Sequence, residues 1–101
     1  MIKKRFLKTK PECKVHFKLT KKEIGSAQSV NLVGEFNDWD KQSHPFKKLK
    51  NGDFSLTLNL PKNKTFQFKY LIDGEKWMND KSADSQAPSP YPGVNNSILS
   101  T

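Results

Sequence analysis

The sequence predicts an all-β domain, an antiparallel β-sandwich of immunoglobulin-like type with about seven short strands. Three observations lead there. Apolar and polar residues alternate with a period of two in several separate stretches, Asn-Gly and Asp-Gly dipeptides stand between pairs of those stretches, and no segment carries a convincing helical period. A chain of 101 residues has room for one domain, and 34% apolar and aromatic residues suffice for a modest two-layer core without disulfides or metals.

Residues 1–11 read as a basic N-terminal arm and residues 12–101 as the domain. Lys3, Lys4, Arg5, Lys8 and Lys10 crowd the stretch before Pro11. Alternation then begins: Cys13, Val15, Phe17 and Leu19 are apolar while Lys14, His16 and Lys18 are polar, as a half-buried strand requires. Ser29 to Glu35 repeats the pattern with Val30 and Leu32 inward, and Gly34 ends it before a turn at Asn37-Asp38. Phe46 to Lys50 and Asp53 to Leu60 flank Asn51-Gly52, a strong hairpin signal. Phe54, Leu56, Leu58 and Leu60 take one face of the second of these strands. Thr65 to Asp73 puts Phe66, Phe68, Tyr70 and Ile72 on the core, and Asp73-Gly74 turns the chain into Glu75 to Met78. Asn79 to Gly93, with Pro88, Pro90 and Pro92, reads as an irregular surface loop, and Val94 to Ser100 as a closing strand.

The net charge of +8 comes largely from the first residues. A basic arm attracts phosphate backbones, but this one lacks the Arg forks and interleaved aromatics of RNA readers, so a solvated tail is the expectation and nucleic acid ranks last among partners. A lone Cys13 allows no internal disulfide, and no apolar run is long enough for a bilayer span or a signal peptide. The expectation is a cytoplasmic protein away from membranes. In that compartment the sequons Asn63-Lys64-Thr65 and Asn95-Asn96-Ser97 carry no sugar.

Catalysis finds little support in the residues. His16 and His44 have no Cys or His at metal-ligand spacing, Cys13 lies on the apolar side of its strand, and the Asp residues mostly sit in turns, where carboxylates accept backbone amides. No phosphate-cradling glycine loop is present, so neither a cofactor nor a metal is expected. What remains is a pair of tryptophans, Trp39 and Trp77, each at a strand end among polar neighbours. Either indole could close an end of the core; exposed, both would suit the apolar face of a pyranose. Sugar hydroxyls then need fixed polar partners, for which Lys69 and Asn95 are candidates, each one step out of phase with apolar neighbours.

Three ordered blocks carry a family resemblance: Val30-Asn31-Leu32-Val33-Gly34-Glu35-Phe36-Asn37-Asp38-Trp39, Phe68-Lys69-Tyr70-Leu71-Ile72-Asp73-Gly74-Glu75-Lys76-Trp77, and Gly93-Val94-Asn95-Asn96. Over about residues 13–100 the chain resembles the family 48 carbohydrate-binding modules of early-set fold: the glycogen-binding domain of the AMP-activated protein kinase β subunit, and the N-terminal modules of isoamylases and branching enzymes. Among these it is most similar to short stand-alone bacterial early-set proteins. The resemblance implies non-catalytic binding of α-glucans such as glycogen, starch and maltooligosaccharides, with Trp39 and Trp77 stacking on glucose rings and Lys69 and Asn95 bonding hydroxyls. It also sets Tyr91 where an aliphatic side chain threads the glucan, and Gly93 where a Thr contributes a hydroxyl. A glycogen-metabolism enzyme is the protein partner such a module would accompany. The alternative is a protein-interaction module of the same fold with a vestigial sugar site.

Overall fold

The computed structural model describes residues 2–80, 83–88 and 95–101. Among these, nine strands form two antiparallel sheets that face each other. The first sheet orders its strands β1 (Ile2–Phe6), β2 (Glu12–Leu19), β5 (Phe54–Pro61) and β4 (Lys47–Lys48). The second runs β3 (Val30–Gly34), β6 (Thr65–Ile72), β9 (Asn95–Ser100) and β8 (Ser85–Pro88), with β7 (Lys76–Met78) also paired to β6.

The core lies where the two alternating patterns meet. Cys13, Val15, Phe17 and Leu19 from β2 oppose Leu32, Phe68, Tyr70 and Leu99 from the second sheet, and all eight are at most 1% exposed. Phe17 meets Phe68 edge to face at 5.8 Å between centroids, and Phe46 meets Tyr70 at 5.7 Å. Such geometry adds to the burial of large rings.

Both hairpins predicted from turn dipeptides form. Gly52 adopts φ 90° and donates to Leu49 O at 3.0 Å, closing the β4–β5 turn. Asp73 and Gly74 take φ 53° and 70°, the left-handed pair that matches the twist of β6 and β7.

The fold departs from the sequence reading in three places. Residues 2–6, expected to lie in a solvated arm, form β1, registered on β2 from Ile2↔Phe17 to Phe6↔Cys13. The stretch 79–93, expected to be irregular, contains β8, which pairs with β9 from Ser85↔Ile98 to Pro88↔Asn95. These two edge strands raise the count from seven to nine; their charge and proline content suit an edge, where half the backbone groups need no ladder partner. Third, α1 (Lys21–Ile24) follows β2, its first turn held by a capping box in which Thr20 and Glu23 bond each other's backbone N–H. Among the described residues no helix is long and apolar enough to cross a membrane.

A clasp joins the sheets along one edge. Lys4 Nζ donates to both carboxylate oxygens of Asp84, at 2.8 and 2.7 Å, and to Ser100 O at 2.8 Å.

Candidate functional site

The outer face of the second sheet carries two of the candidate residues, Lys69 and Trp77. Leu71 pairs with Trp77 across β6 and β7, and Val33 pairs with Lys69 across β3 and β6. Because alternate residues share a face, Lys69, Leu71, Val33 and Trp77 all stand opposite the core. Yet this face is not wet throughout: Val33 is fully buried, Leu71 is 3% exposed and Lys69 only 9%.

Trp77 is 46% exposed. It is presented by the tight β6–β7 hairpin, whose Asp73 carboxylate accepts the backbone N–H groups of Gln28 and Ser29 at 2.7 and 3.0 Å. Those amide bonds hold the Asp73 carboxyl below its usual range.

Trp39 is 40% exposed and emerges from a different device. After β3 the chain makes one 3-10 turn over Glu35–Asn37, and then both Asp38 and Trp39 adopt left-handed backbone, φ 54° and 60°. Trp39 N–H reaches back to Gly34 O at 2.8 Å, a closure of the Schellman kind. Asn37 locks the turn, its Oδ1 accepting Gly34 N–H at 3.1 Å and its Nδ2 donating to Leu32 O at 2.9 Å. A bulky residue in left-handed backbone is uncommon, and such strain gathers at functional sites. Gly34 is needed for a separate reason: a Cβ there would meet Gln67 O at 2.6 Å and Phe68 Cβ at 2.7 Å.

The Trp39 loop reaches Trp77 through Lys41, whose ammonium stands 5.9 Å from the Trp77 ring centroid. Sequence reasoning missed Lys41, since nothing in an isolated loop lysine points across space to an indole.

Lys69 was expected to be an open surface donor and is instead largely covered. Burial pushes its ammonium below the usual lysine range. Asn95 begins β9 and is exposed, but alternation puts its side chain with Ser97 and Leu99, whereas Asn96 and Ile98 share the face of Gln67 and Lys69. Asn96 is 6% exposed and its Nδ2 donates to Gln67 Oε1 at 2.9 Å. The sequence reading sets Asn95 on the outward face; the register of β6 with β9 turns Asn96 there instead. Tyr91 and Gly93 lie outside the described residues.

Beneath the β7 end sits a buried polar network. The Tyr70 hydroxyl donates to Asp80 Oδ2, Asp80 N–H donates to Ser97 Oγ at 3.0 Å, and Ser97 Oγ donates to Asn79 Oδ1 at 2.9 Å. Burial, reinforced by the Asp80 carboxylate, pushes the Tyr70 phenol well above its ordinary range. Asn79 Nδ2 then donates to Asn95 O at 2.8 Å, tying the strand that carries Trp77 to the start of β9. A depression bounded by Lys21, Gln28, Lys48 and Gly52 contains neither tryptophan.

Comparison with known proteins adds two findings. The family described as the glycogen recognition site of AMP-activated protein kinase matches residues 15–98. A chloroplastic/amyloplastic 1,4-alpha-glucan-branching enzyme of Oryza sativa subsp. japonica is 29% identical over 84 residues, which cover 68% of this chain and 10% of that enzyme. The chain therefore spans about a tenth of the length of the curated relative it matches.

Proposed function

We propose that this chain, which belongs to the family of the glycogen recognition site of AMP-activated protein kinase, binds α-glucans through Trp39, Trp77, Lys69 and Asn95 and catalyses no reaction on them. The observation that carries the reading is the meeting of two exposed indoles' supports: the loop bearing Trp39 extends to Lys41, and Lys41 stands over the Trp77 ring. Two aromatic plates brought together would suit a curved α-linked saccharide, whose C–H faces need apolar cover and whose hydroxyls need donors and acceptors.

The non-catalytic part of the proposal draws on how the acids are used. Glycoside hydrolysis ordinarily needs two opposed carboxylates. Asp40 Oδ1 accepts Gln42 N–H at 2.8 Å, Asp53 Oδ1 accepts Lys21 N–H at 2.9 Å, and Asp73 and Asp84 are engaged as described above. These contacts shape turns. Residence in the cytoplasm and association with a glycogen-metabolism enzyme belong to the same proposal; the buried, free Cys13 accords with a reducing compartment.

If each indole covers about 100 Å² of sugar, stacking contributes at most about 2.5 kcal/mol per ring before ordering costs. With hydrogen bonds of about 1 kcal/mol each, a short oligosaccharide should bind between millimolar and micromolar Kd. Calorimetric titration with maltoheptaose and β-cyclodextrin tests this. Trp39→Ala and Trp77→Ala should each weaken binding by roughly 10- to 70-fold, the upper value being 2.5 kcal/mol expressed as a ratio. Heat of binding unchanged in both variants would remove the assigned site; no heat with the unaltered chain would remove the function.

A further inference from the structure

The opposite side of the sandwich has a different character. On the first sheet the residues out of phase with the core are Lys3 and Arg5 from β1, Lys14, His16 and Lys18 from β2, and Lys47 from β4. The register sets Arg5 directly across from Lys14 and Lys3 across from His16. Like charges facing each other across a strand pair destabilise a sheet, so this arrangement does not serve the fold. Among the described strand residues of this face the one carboxylate is Glu12, at the end of β2 opposite Pro61. Asp53 approaches from the other end, 3.8 Å from Lys18.

Between the cations β5 supplies Ser55, Thr57 and Asn59 on the same face. Lysines and arginines interleaved with hydroxyls and amides are the side chains that bond phosphate oxygens of nucleic-acid backbones. The spacing suits a polymer of charges, since Lys3 and Arg5 stand about 6.7 Å apart along β1, Lys14 and Lys18 about 13 Å apart along β2, and neighbouring strands add rows about 4.8 Å away. A protein partner fits less well: the centres of such interfaces are enriched in aromatics and depleted in Lys, and among the described strand residues of this face there is no Phe, Tyr or Trp. A membrane fits less well too, because the face offers no apolar side chain beyond Pro61 to enter the headgroup layer.

We propose that the outer face of the β1-β2-β5-β4 sheet binds the phosphate backbone of nucleic acid without reading its sequence, on the side of the sandwich opposite Trp77. The premise that set nucleic acid last was a loose basic tail; β1 converts that tail into a row of fixed cations. With no aromatic to stack on bases, affinity comes from released counterions and is independent of sequence.

Fluorescence anisotropy with a labelled duplex of about 20 base pairs tests the proposal on the full chain. Four to five neutralised phosphates give a slope of log K against log salt between about −3.6 and −4.5, a fall of roughly 150- to 500-fold from about 50 to 200 mM salt. Arg5→Gln with Lys14→Gln should reduce the steepness by about two and weaken binding, while Lys22→Gln with Lys64→Gln, equal in charge removed but off this face, should leave the slope alone. Equal losses in the two double variants would reduce the effect to net charge and overturn the proposal. Capture by phosphatidylserine vesicles but not by duplex would assign the face to membranes. No binding of the unaltered chain at about 50 mM salt would leave the face a solubilising surface. The slope of the unaltered chain is read whatever the variants do, and their thermal unfolding reports whether they fold.

Discussion

The two outer faces of the sandwich are built from the same alternation and differ in how much water they see. On the β1-β2-β5-β4 sheet the outward residues Lys14, Thr57, Asn59, Lys3 and Arg5 are exposed, as alternation alone would have them. On the β3-β6-β9 sheet the outward residues Val33, Lys69, Leu71 and Asn96 are buried or nearly so. An outer face that is covered has something built over it, and here the Trp39 turn and the Trp77 hairpin are the adjoining structures. The difference teaches that alternation sets which face a side chain takes, while what is built over that face sets how much water it meets.

Substitutions on the covered side should break this contrast most severely. Gly34→Val drives a side chain into the backbone of β6 and should cost about 3 kcal/mol while displacing the Trp39 turn, so that thermal unfolding and glucan titration both suffer. A variant that melts normally and binds normally would show that the turn does not depend on that close approach. Tyr70→Phe is expected to cost about 2 kcal/mol, because it removes a buried hydrogen bond to a carboxylate; denaturant unfolding measures it. The effect on glucan affinity should be smaller than the effect on stability, since the network supports β7 without touching sugar.

Lys69→Met sharpens the comparison by separating fold from function. The ammonium is disfavoured by burial, so an apolar side chain of similar length should leave the melting temperature equal or higher. Glucan affinity should nevertheless drop by roughly tenfold, the loss of a hydrogen bond from a charged donor. Unchanged affinity would exclude Lys69 from the site.

The smallest effect is one of pH. Asp73 has a folded pKa below its unfolded value, so the stability it contributes is present above the unfolded carboxylate range and is lost as pH falls through the folded value. Asp73→Asn should flatten the acid limb of the melting temperature by lowering the neutral value, the two chains converging below about pH 4 where Asp73 is protonated. A limb that keeps its slope would assign it to other carboxylates, Asp84 first among them.

Much of this architecture could be read from residue order. The β5 and β6 alternations, the Asn51-Gly52 and Asp73-Gly74 turns and the apolar side of β2 are local patterns, and local patterns survive folding. β1 was not legible because Lys3, Lys4 and Arg5 are poor strand formers; the open edge of β2 recruits them, and that edge is a property of the assembled sheet. β8 was masked by the proline-rich sequence that begins at its last residue, Pro88, which stands at the end of an edge strand. The helix after β2 did carry a signal, Thr20 with Glu23 three residues later, but four residues make no amphipathic period. For the candidate site, residue types were visible and spatial relations were not. The cover over Lys69, the reach of Lys41 and the turning of Asn96 rather than Asn95 toward Gln67 all depend on contacts between segments far apart in the chain.

The Lys4 clasp has a temporal meaning as well. Its partners lie 80 and 96 positions further along, so during synthesis the ammonium is complete long before Asp84 and Ser100 exist. Bonds between residues so distant in sequence are the slow ones to form. The edge where Lys4 sits can therefore be sealed only after β9 has been made.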